Sequence, residues 1–242
     1  MLLLQNKVTP VVVLDGQPLP MKSRIDTSRR KARELSRAKA EEHLRNGDYR
    51  FAKQKFAESV AITRDIKYAL IEELRKLGIT YYVAPFEADA QLGFLAKQGH
   101  VDFVISEDSD LVLFGVRRLF LKMDGVGSGQ ELDVEQLAHV SELDFSEFNL
   151  DMLTTMCILS GCDYLEPVRA IGLKKAYKIV AEHKSIEAVV GALKASKKHV
   201  LPFGYEREFE KAFLTFKFQV VFCPTRKVFR HLNDSSEHPS GK

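Results

Sequence analysis

Five carboxylates stand where three short apolar runs end. Asp15 closes the run Val-Val-Val-Leu, Glu87 and Asp89 follow Tyr-Tyr-Val-Ala-Pro-Phe, and Asp108 and Asp110 follow Phe-Val-Ile-Ser-Glu. Hard oxygen ligands of this kind favour Mg²⁺ or Mn²⁺ over zinc. Two such ions can activate water and stabilise the leaving oxygen of a phosphoryl displacement. The pattern therefore predicts a divalent-metal site that cuts phosphodiesters.

Each motif also has an ordinary explanation when it is taken alone. Asp108-Ser109-Asp110 can cap a helix, Glu87-Ala88-Asp89 can stabilise a helix N-terminus through the macrodipole, and Asp15-Gly16 can be a turn. A phosphatase-like enzyme would need an Asp-x-Asp at the end of the first strand, and the sequence there is Asp-Gly-Gln. Three acidic motifs at successive strand ends favour the metal site.

The elements that would position these acids alternate between strand and helix. β-branched and aromatic runs predict strands at 11–14, 80–84, 101–106 and 118–122, with a hairpin loop at 125–129. A helix is predicted over 87–97. This alternation predicts an α/β fold with a doubly wound, mostly parallel sheet. Ligands of such sheets bind at the carboxyl ends of the strands, so the acids are expected along one rim.

Two long helical segments separate the first strand from the second. The polar segment from Lys22 to about Asn46 and the periodic segment from Phe51 to Leu77 are both predicted to be helical. Beyond Asp133 the chain is predicted to be almost wholly helical, over 133–140, 149–160, 173–183, 185–196 and 206–218. We therefore divide the chain into a core (1–132, with arch helices about 22–77), a helical C-terminal part (133–232) and a disordered tail (233–242).

Charge is strongly segregated along the chain. Residues 22–45 hold nine Lys and Arg against four Asp and Glu, residues 87–144 hold four against twelve, and residues 151–230 hold fourteen against eight. An acidic centre between basic segments is typical of a metal site within a phosphate-binding surface, although solvated helix faces would also produce it. No apolar run is long enough for a membrane span, and three cysteines without a CxxC pair indicate an intracellular protein with reduced thiols.

Four longer motifs resemble those of a known family. Pro85–Leu92, Ile105–Leu111, Leu14–Gly16 and Met156–Leu165 are similar to the ordered motifs of the structure-specific 5′ nucleases, the flap endonuclease and XPG-like family with a PIN-like fold. The stretch Met156–Leu165 and the segment Leu121–Asp124 favour its exonuclease 1 branch. The likeness extends to about Pro224, so it covers nearly the whole chain.

The resemblance implies a site and an activity. It adds Asp163 to the strand-end acids, so the implied metal ligands are Asp15, Glu87, Asp89, Asp108, Asp110 and Asp163. Two Mg²⁺ ions, which Mn²⁺ can replace, would support 5′→3′ exonuclease and 5′-flap endonuclease cleavage that leaves a 5′ phosphate. The implied substrate is double-stranded DNA with nicks, gaps or flaps. A monomeric nuclear repair enzyme with mismatch-repair partners and no membrane association is expected.

Two further sets of residues match DNA-binding positions of the family. Lys22 and Arg29 match the phosphate-binding pair of its helical arch, and their spacing of seven places both on one helical face. The cations at 30, 31, 33 and 37 are assigned only a general attraction to DNA. Residues 160–176 resemble the helix–two-turn–helix, which contains a K⁺ site. That resemblance implies ion coordination by Ser160, Pro167 and Ile171, with a serine in relatives at the proline position, and DNA contacts from Gly172, Lys174 and Lys175.

One family feature lies outside the sequence. The family begins with a leader strand that carries another metal-binding aspartate, and Asp15 stands only fourteen residues after Met1. We therefore expect open sheet edges and impaired catalysis. A relative that holds nicked or flapped DNA without cutting it is the alternative function.

Overall fold

The computed structural model describes residues 2–140, 142–196 and 201–234. The chain divides into two compact units. Unit 1 comprises Met1–Gln17 and Tyr82–Lys242, and unit 2 comprises Pro18–Tyr81. All six candidate metal ligands belong to unit 1, whereas Lys22 and Arg29 belong to unit 2.

Unit 1 begins with one helical turn, α1 (Leu2–Gln5), and strand β1 (Val11–Leu14). Unit 2 then provides a 3-10 helix (Pro20–Lys22) and the helices α2 (Ser23–Arg45), α3 (Tyr49–Ser59) and α4 (Arg64–Lys76). The predicted strand at 11–14 and the predicted helix from Lys22 are confirmed. The small side chains of Ala40 and Ala52 are buried, which allows α2 and α3 to pack closely.

The single helix predicted over 51–77 is wrong, because two helices occupy this segment. α3 ends at Ser59, and Val60 already has extended backbone, with ψ 134°. Thr63 then starts α4 by accepting a hydrogen bond from the Ile66 amide, which is the usual role of an N-cap threonine. Val60 and Ile62 are 64% and 69% exposed, so the apolar side chains that suggested a continuous helix contribute nothing to the core.

Unit 1 continues with the elements that carry the acids. Strand β2 (Thr80–Val83), whose last two residues lie in unit 1, pairs with β1. Helix α5 (Ala88–Lys97), strand β3 (Val104–Ile105) and the 3-10 helix Ser109–Phe114 follow. β3 pairs in parallel with β4 (Arg118–Leu121), and β4 pairs antiparallel with β5 (Gln130–Asp133) across the predicted hairpin loop. The predicted strand at 101–106 shortens to two residues because the backbone bends at Asp102 and only Val104 and Ile105 pair with β4.

The two sheets β1–β2 and β3–β4–β5 flank a groove of about 660 Å³. Its walls include Val11, Val12 and Val13 from β1, and residues 100–105 leading into β3. Within the described part of the chain, no backbone hydrogen bond joins β1 to β3. The described strands on the two sides of this groove therefore belong to separate sheets.

The C-terminal part of unit 1 is mostly helical, as predicted. It contains a 3-10 helix (Val134–His139) and the helices α6 (Leu150–Ser160), α7 (Leu173–His183), α8 (Ile186–Ala195) and α9 (Tyr205–Phe218). The rings of Phe114 and Phe216 lie 5.3 Å apart and pack α9 against the 3-10 helix that follows β3. This contact places the helices behind the acidic rim.

An antiparallel hairpin of β6 (Val220–Cys223) and β7 (Val228–His231) corrects the prediction that the chain beyond Asp133 is almost wholly helical. Gln91, fully buried in α5, fixes the hairpin by donating to the Phe222 carbonyl and accepting from its amide. The predicted disordered tail begins at 233, but Asn233 is buried and donates to the Lys217 carbonyl. Residues 235–242 of that tail lie outside the described residues.

The sequence also predicts that the chain has no membrane span and no disulfide. No helix within the described ranges is both long enough and apolar enough to cross a membrane. Cys157, Cys162 and Cys223 form no disulfide with one another, and their reduced state remains a prediction.

Candidate metal centre

Asp15 is held against the start of α5 by a close approach of two backbone segments. The Gly16 amide donates to the Phe86 carbonyl at 2.6 Å, and the Gln17 amide donates to the Pro85 carbonyl at 3.0 Å. Asp15 Oδ1 accepts from the Ala88 amide at 2.9 Å and so caps the helix whose first turn includes Asp89. This contact joins the first acidic motif to the second, as the strand-end argument predicts.

The third motif forms a compact acidic turn after β3. Asp108 Oδ1 accepts from the Asp110 amide at 2.8 Å, and the Asp108 amide donates to Ser106 Oγ at 3.1 Å. Asp108 is the N-cap of the 3-10 helix Ser109–Phe114. Both explanations of this motif, a helix cap and a metal ligand, therefore apply to the carboxylate of Asp108. Its Oδ1 is the oxygen that caps the helix.

Asp163 lies in the loop after α6, next to Cys162. Burial, opposed by backbone hydrogen bonds, raises the pKa of the Cys162 thiol, and the nearby charges of Asp110 and Asp163 raise it further. The charges of both acids therefore act on the same thiol, although the acids stand 53 positions apart in the sequence. The role of Asp163 as a metal ligand remains a prediction.

Two residues that the sequence did not single out as functional contact Glu87. Tyr164 Oη donates to Glu87 Oε2, and Gln219 Nε2 donates to the same oxygen at 2.9 Å and to Tyr164 Oη at 3.0 Å. Tyr164 and Gln219 are both buried. The position of Tyr164 directly after Asp163 was the only sequence signal for this contact. Nothing in the sequence pattern pointed to Gln219, which stands 132 positions from Glu87.

Hydrogen bonds connect some of the acidic motifs of unit 1. Asp15 bonds to the first residue of α5, whose N-cap is Glu87, and Glu87 accepts from Tyr164, the residue after Asp163. Across the described residues, no three His, Cys, Asp or Glu side chains are grouped so as to hold a metal ion. Carboxylates repel one another, and a closed cage of them needs cations to stabilise it. The all-oxygen donor set fits Mg²⁺, and the assignment of individual ligands remains a prediction.

Lys22 and Arg29 lie at the beginning of the long helix of unit 2. Lys22 ends the 3-10 helix and is the N-cap of α2, and Arg29 is exposed within the second turn of α2. Their role as a phosphate-binding pair remains a prediction. Two of the other cations pair along the helix, Arg30 with Glu34 and Arg37 with Glu41.

The segment that resembles the helix–two-turn–helix has the predicted helices. Gly172 is the N-cap of α7, and no side chain caps that end. Lys174 pairs with Glu142 at 3.4 Å, and Lys175 Nζ donates to the Ala170 carbonyl at 2.8 Å. The helix N-terminus without a capping side chain is a type of site that binds phosphate, and DNA contacts from these three residues remain a prediction.

The predicted monovalent-cation residues surround the turn between α6 and α7. Ser160 Oγ donates to the Cys157 carbonyl at 3.0 Å, Pro167 is exposed and Ile171 is buried. Gly161 has φ +110°, and a Cβ there would meet the Pro167 ring at 3.0 Å. The turn is therefore closely packed, and the K⁺ assignment remains a prediction.

Alkaline pH is expected to destabilise unit 1 through the partly buried thiol of Cys157 and the buried hydroxyl of Tyr205. Burial raises the pKa of Cys157 from 9.0 to about 12 and raises that of Tyr205 above its usual value. Both folded-state pKa values exceed the unfolded ones, so this stability is complete below pH 9 and is lost as the pH rises. The unfolding temperature of the wild type is measured by calorimetry at pH 8 and pH 11. It should fall by about 5 °C more over this range than the unfolding temperature of the double variant Cys157→Ala/Tyr205→Phe. Equal falls in both proteins would contradict this prediction.

Solved structures with the same fold are nucleases. Flap endonuclease-1 from Methanococcus jannaschii matches with a TM-score of 0.59 and 26% identity over 88% of this chain and 63% of that chain. The Holliday junction-resolving enzyme GEN1 in complex with product DNA and Mg²⁺ matches with a TM-score of 0.61 and 19% identity over 93% of this chain and 50% of that one. A GEN-1 structure binding potassium matches with a TM-score of 0.53 and 21% identity over 68% of this chain and 46% of that one. The fold is thus the mixed α/β, PIN-like fold of 5′ nucleases, as predicted. The prediction of a single, mostly parallel sheet is corrected, because the described strands form three small sheets in which β4–β5 and β6–β7 are antiparallel.

Sequence comparisons point to the same class of protein. The model described as the XPG I-region matches residues 78–163, a range that contains every candidate acid except Asp15. Exonuclease 1 of Arabidopsis thaliana is 42% identical over 98% of this chain and 32% of its own length, and exodeoxyribonuclease 1 of Saccharomyces cerevisiae is 36% identical over 94% and 33%. The chain is therefore similar to exonuclease 1 proteins over nearly its whole length, and the resemblance to the exonuclease 1 branch of the structure-specific 5′ nucleases is confirmed. The chain spans about a third of the length of these relatives.

Proposed function

We propose that the chain is a Mg²⁺-dependent 5′→3′ exonuclease for double-stranded DNA that also cuts 5′ flaps during mismatch repair and recombination. The observation that carries this proposal is the contact that joins the acidic motifs after β1 and β2 in a 5′-nuclease fold, where Asp15 accepts from the Ala88 amide between Glu87 and Asp89. Nicked, gapped and flapped duplexes are the proposed substrates. A nuclear monomer that meets mismatch-repair proteins is part of the same proposal.

The acids would hold two Mg²⁺ ions, or Mn²⁺ in their place, which would polarise the scissile phosphate and activate water. Asp15 and Glu87 would supply ligands beside the start of α5, whereas Asp108 and Asp110 would supply them after β3 and Asp163 after α6. The Mg²⁺ and potassium in the GEN1 structures support divalent ions here and K⁺ at residues 160–171. Gly172, Lys174 and Lys175 would bind the duplex backbone at the N-terminus of α7.

Lys22 and Arg29 are proposed to hold the phosphate while negative charge develops on it. Lys22→Ala/Arg29→Ala should therefore lower kcat by about 10²-fold, with a smaller change in KM, because such interactions act mainly in the transition state. Single-turnover cleavage of a 5′-labelled nicked duplex measures the effect. Lys39→Ala/Arg45→Ala removes the same charge from α2 and should leave kcat unchanged. If both double variants cut at the wild-type rate, Lys22 and Arg29 have no part in the site.

Binding without cleavage is the second candidate function. The acids do not form a closed metal cage in the described residues, and this arrangement favours it. A panel of nicked, gapped, 5′-flap and single-stranded substrates, each 5′-labelled and incubated with Mg²⁺ or EDTA, separates the candidates. Mononucleotide release from nicks and release of intact flaps support the proposed nuclease. A gel shift on nicked DNA without cleavage in Mg²⁺ or Mn²⁺ would establish the binding function instead.

A further inference from the structure

The carboxylate of Glu87 is held from one side by two buried side chains. Tyr164 Oη and Gln219 Nε2 both donate to Oε2, and the bond between them closes a three-membered network. Glu87 is the N-cap of α5, yet its side chain makes no capping bond, and Asp15 takes the Ala88 amide instead. The Glu87 side chain is therefore oriented by the C-terminal part of unit 1.

Both donors are themselves fixed in place. The Tyr164 ring packs edge-on against Phe216 of α9 with centroids 4.6 Å apart. Gln219 lies between α9 and β6, where its carbonyl accepts from the Leu232 amide at 2.9 Å. Tyr164 and Gln219 are only 7% and 5% exposed. Packing leaves neither side chain free to follow a moving carboxylate.

A glutamine at position 219 stabilises the core less than an apolar side chain of similar length would. Its Oε1 is buried and has no hydrogen-bond partner among the described residues. A buried polar atom of this kind costs about 1–3 kcal/mol, which an apolar side chain of similar length would avoid. If the Gln219 amide were rotated by 180°, Oε1 would face the Glu87 carboxylate, and an oxygen that can only accept would replace the donor. Nε2 must therefore face Glu87. The arrangement favours orientation of Glu87 over stability of the core.

We propose that Tyr164 and Gln219 are positioning residues for the metal centre, which fix Glu87 Oε2 so that the carboxylate meets the metal in one orientation. The inference rests on the proposed function, since it takes Glu87 as a metal ligand. Residues that orient a metal ligand typically change metal affinity by about 10–100-fold when they are removed. The end of α9, which carries no acid of the rim, thereby becomes part of the metal centre.

The test compares metal affinity with stability. Tyr164→Phe keeps the ring on Phe216, and Gln219→Met keeps the length of the side chain while removing the donor. Mn²⁺ binding to the full chain without DNA is measured by titration calorimetry, with the unfolding temperature measured in parallel. Each variant should bind Mn²⁺ about 10-fold more weakly, and Gln219→Met should unfold no earlier than the wild type. The double variant should lose little more Mn²⁺ affinity than whichever single variant binds Mn²⁺ more weakly, because both donors act on one oxygen.

Matched controls separate positioning from packing. Gln91→Met removes another buried amide, on the same helix α5, whose bonds go to the Phe222 backbone. It should lower the unfolding temperature and leave Mn²⁺ affinity unchanged. Tyr205→Phe removes a buried hydroxyl that has no partner in the described part of the chain, so it should leave Mn²⁺ affinity unchanged and should unfold no earlier than the wild type.

Two results would overturn the inference, and they differ from each other. If the wild type binds Mn²⁺ and Glu87→Gln weakens that binding, but Tyr164→Phe and Gln219→Met bind as the wild type does, the positioning role is wrong and the proposed function stands. If the wild type binds no Mn²⁺, or Glu87→Gln binds it unchanged, Glu87 is not a ligand, and both the ligand assignment and the inference fail.

Discussion

Asp108→Ala is expected to lower the rate of DNA cleavage by at least about 10³-fold while DNA binding persists. The acid lies at the end of β3 in the acidic turn, and the loss of one group that stabilises transition-state charge typically costs about 10²–10³-fold in kcat. A larger loss is expected here because a missing ligand also weakens metal binding. Affinity for nicked duplex, measured by fluorescence anisotropy in EDTA, should hold or rise, since a negative charge near phosphates is removed.

Capping is the competing explanation for any effect of Asp108→Ala, because the side chain accepts from the Asp110 amide. Asp108→Asn keeps an acceptor oxygen and removes the charge, so it should lose cleavage to a similar extent. Asp133 is the matched control, since it caps the 3-10 helix Val134–His139 by accepting from the Glu135 amide at 3.0 Å. Asp133→Ala should cut as the wild type does. An active Asp108→Asn variant would remove Asp108 from the metal site.

Gly16→Ala is expected to destabilise the fold by about 4 kcal/mol or more and to abolish cleavage, for a steric reason. A Cβ at Gly16 would lie 1.8 Å from the Ala84 carbonyl oxygen, 2.7 Å from that of Pro85 and 2.9 Å from the Ala84 carbonyl carbon. All three are backbone atoms, so the segment 15–17 must move away from 84–86, and overpacking of this severity exceeds the usual cost of about 1–3 kcal/mol. Asp15 would lose its bond to Ala88 in the same movement.

Urea unfolding monitored by circular dichroism measures the stability loss of Gly16→Ala. Gly191 is the matched control, because it lies within α8 with open space around its Cβ position. Gly191→Ala should stabilise the protein by about 0.5–1 kcal/mol, as alanine does within a helix. A Gly16→Ala variant as stable and active as the wild type would show that the two backbone segments do not approach as described.

The strand-end argument succeeded where local pattern and topology agree. Val11–Leu14 is a β-branched run that ends at an acid, and the structure has both the strand and the contact from Asp15 to α5. The same argument could not reach Asp163, because that residue follows a helix, and only the family resemblance supplied it. Parallel strands share a carboxyl edge, whereas the loops between packed helices have no comparable rule.

The errors arose where one pattern has two explanations. Val60 and Ile62 continue a helical apolar period, yet β-branched residues followed by Thr63 also mark a helix end and a new N-cap. The runs at 220–223 and 228–231 are rich in valine and phenylalanine around a proline-containing turn, a hairpin signal that was overlooked. The contact of Gln219 with Glu87 had no signal at all, since a single polar residue does not reveal a partner 132 positions away.

Dependence of cleavage on Mg²⁺ tests the central claim most directly. The purified 242-residue chain is incubated with 5′-labelled nicked and 5′-flap duplexes while Mg²⁺ is titrated from zero, with EDTA as the baseline. We expect no cleavage in EDTA and a rate that rises more steeply than first order in Mg²⁺, as two ions require, with 5′ phosphate on the products. Cleavage that persists in EDTA, or no cleavage at any concentration of Mg²⁺ or Mn²⁺, would contradict a two-metal nuclease built on these six acids.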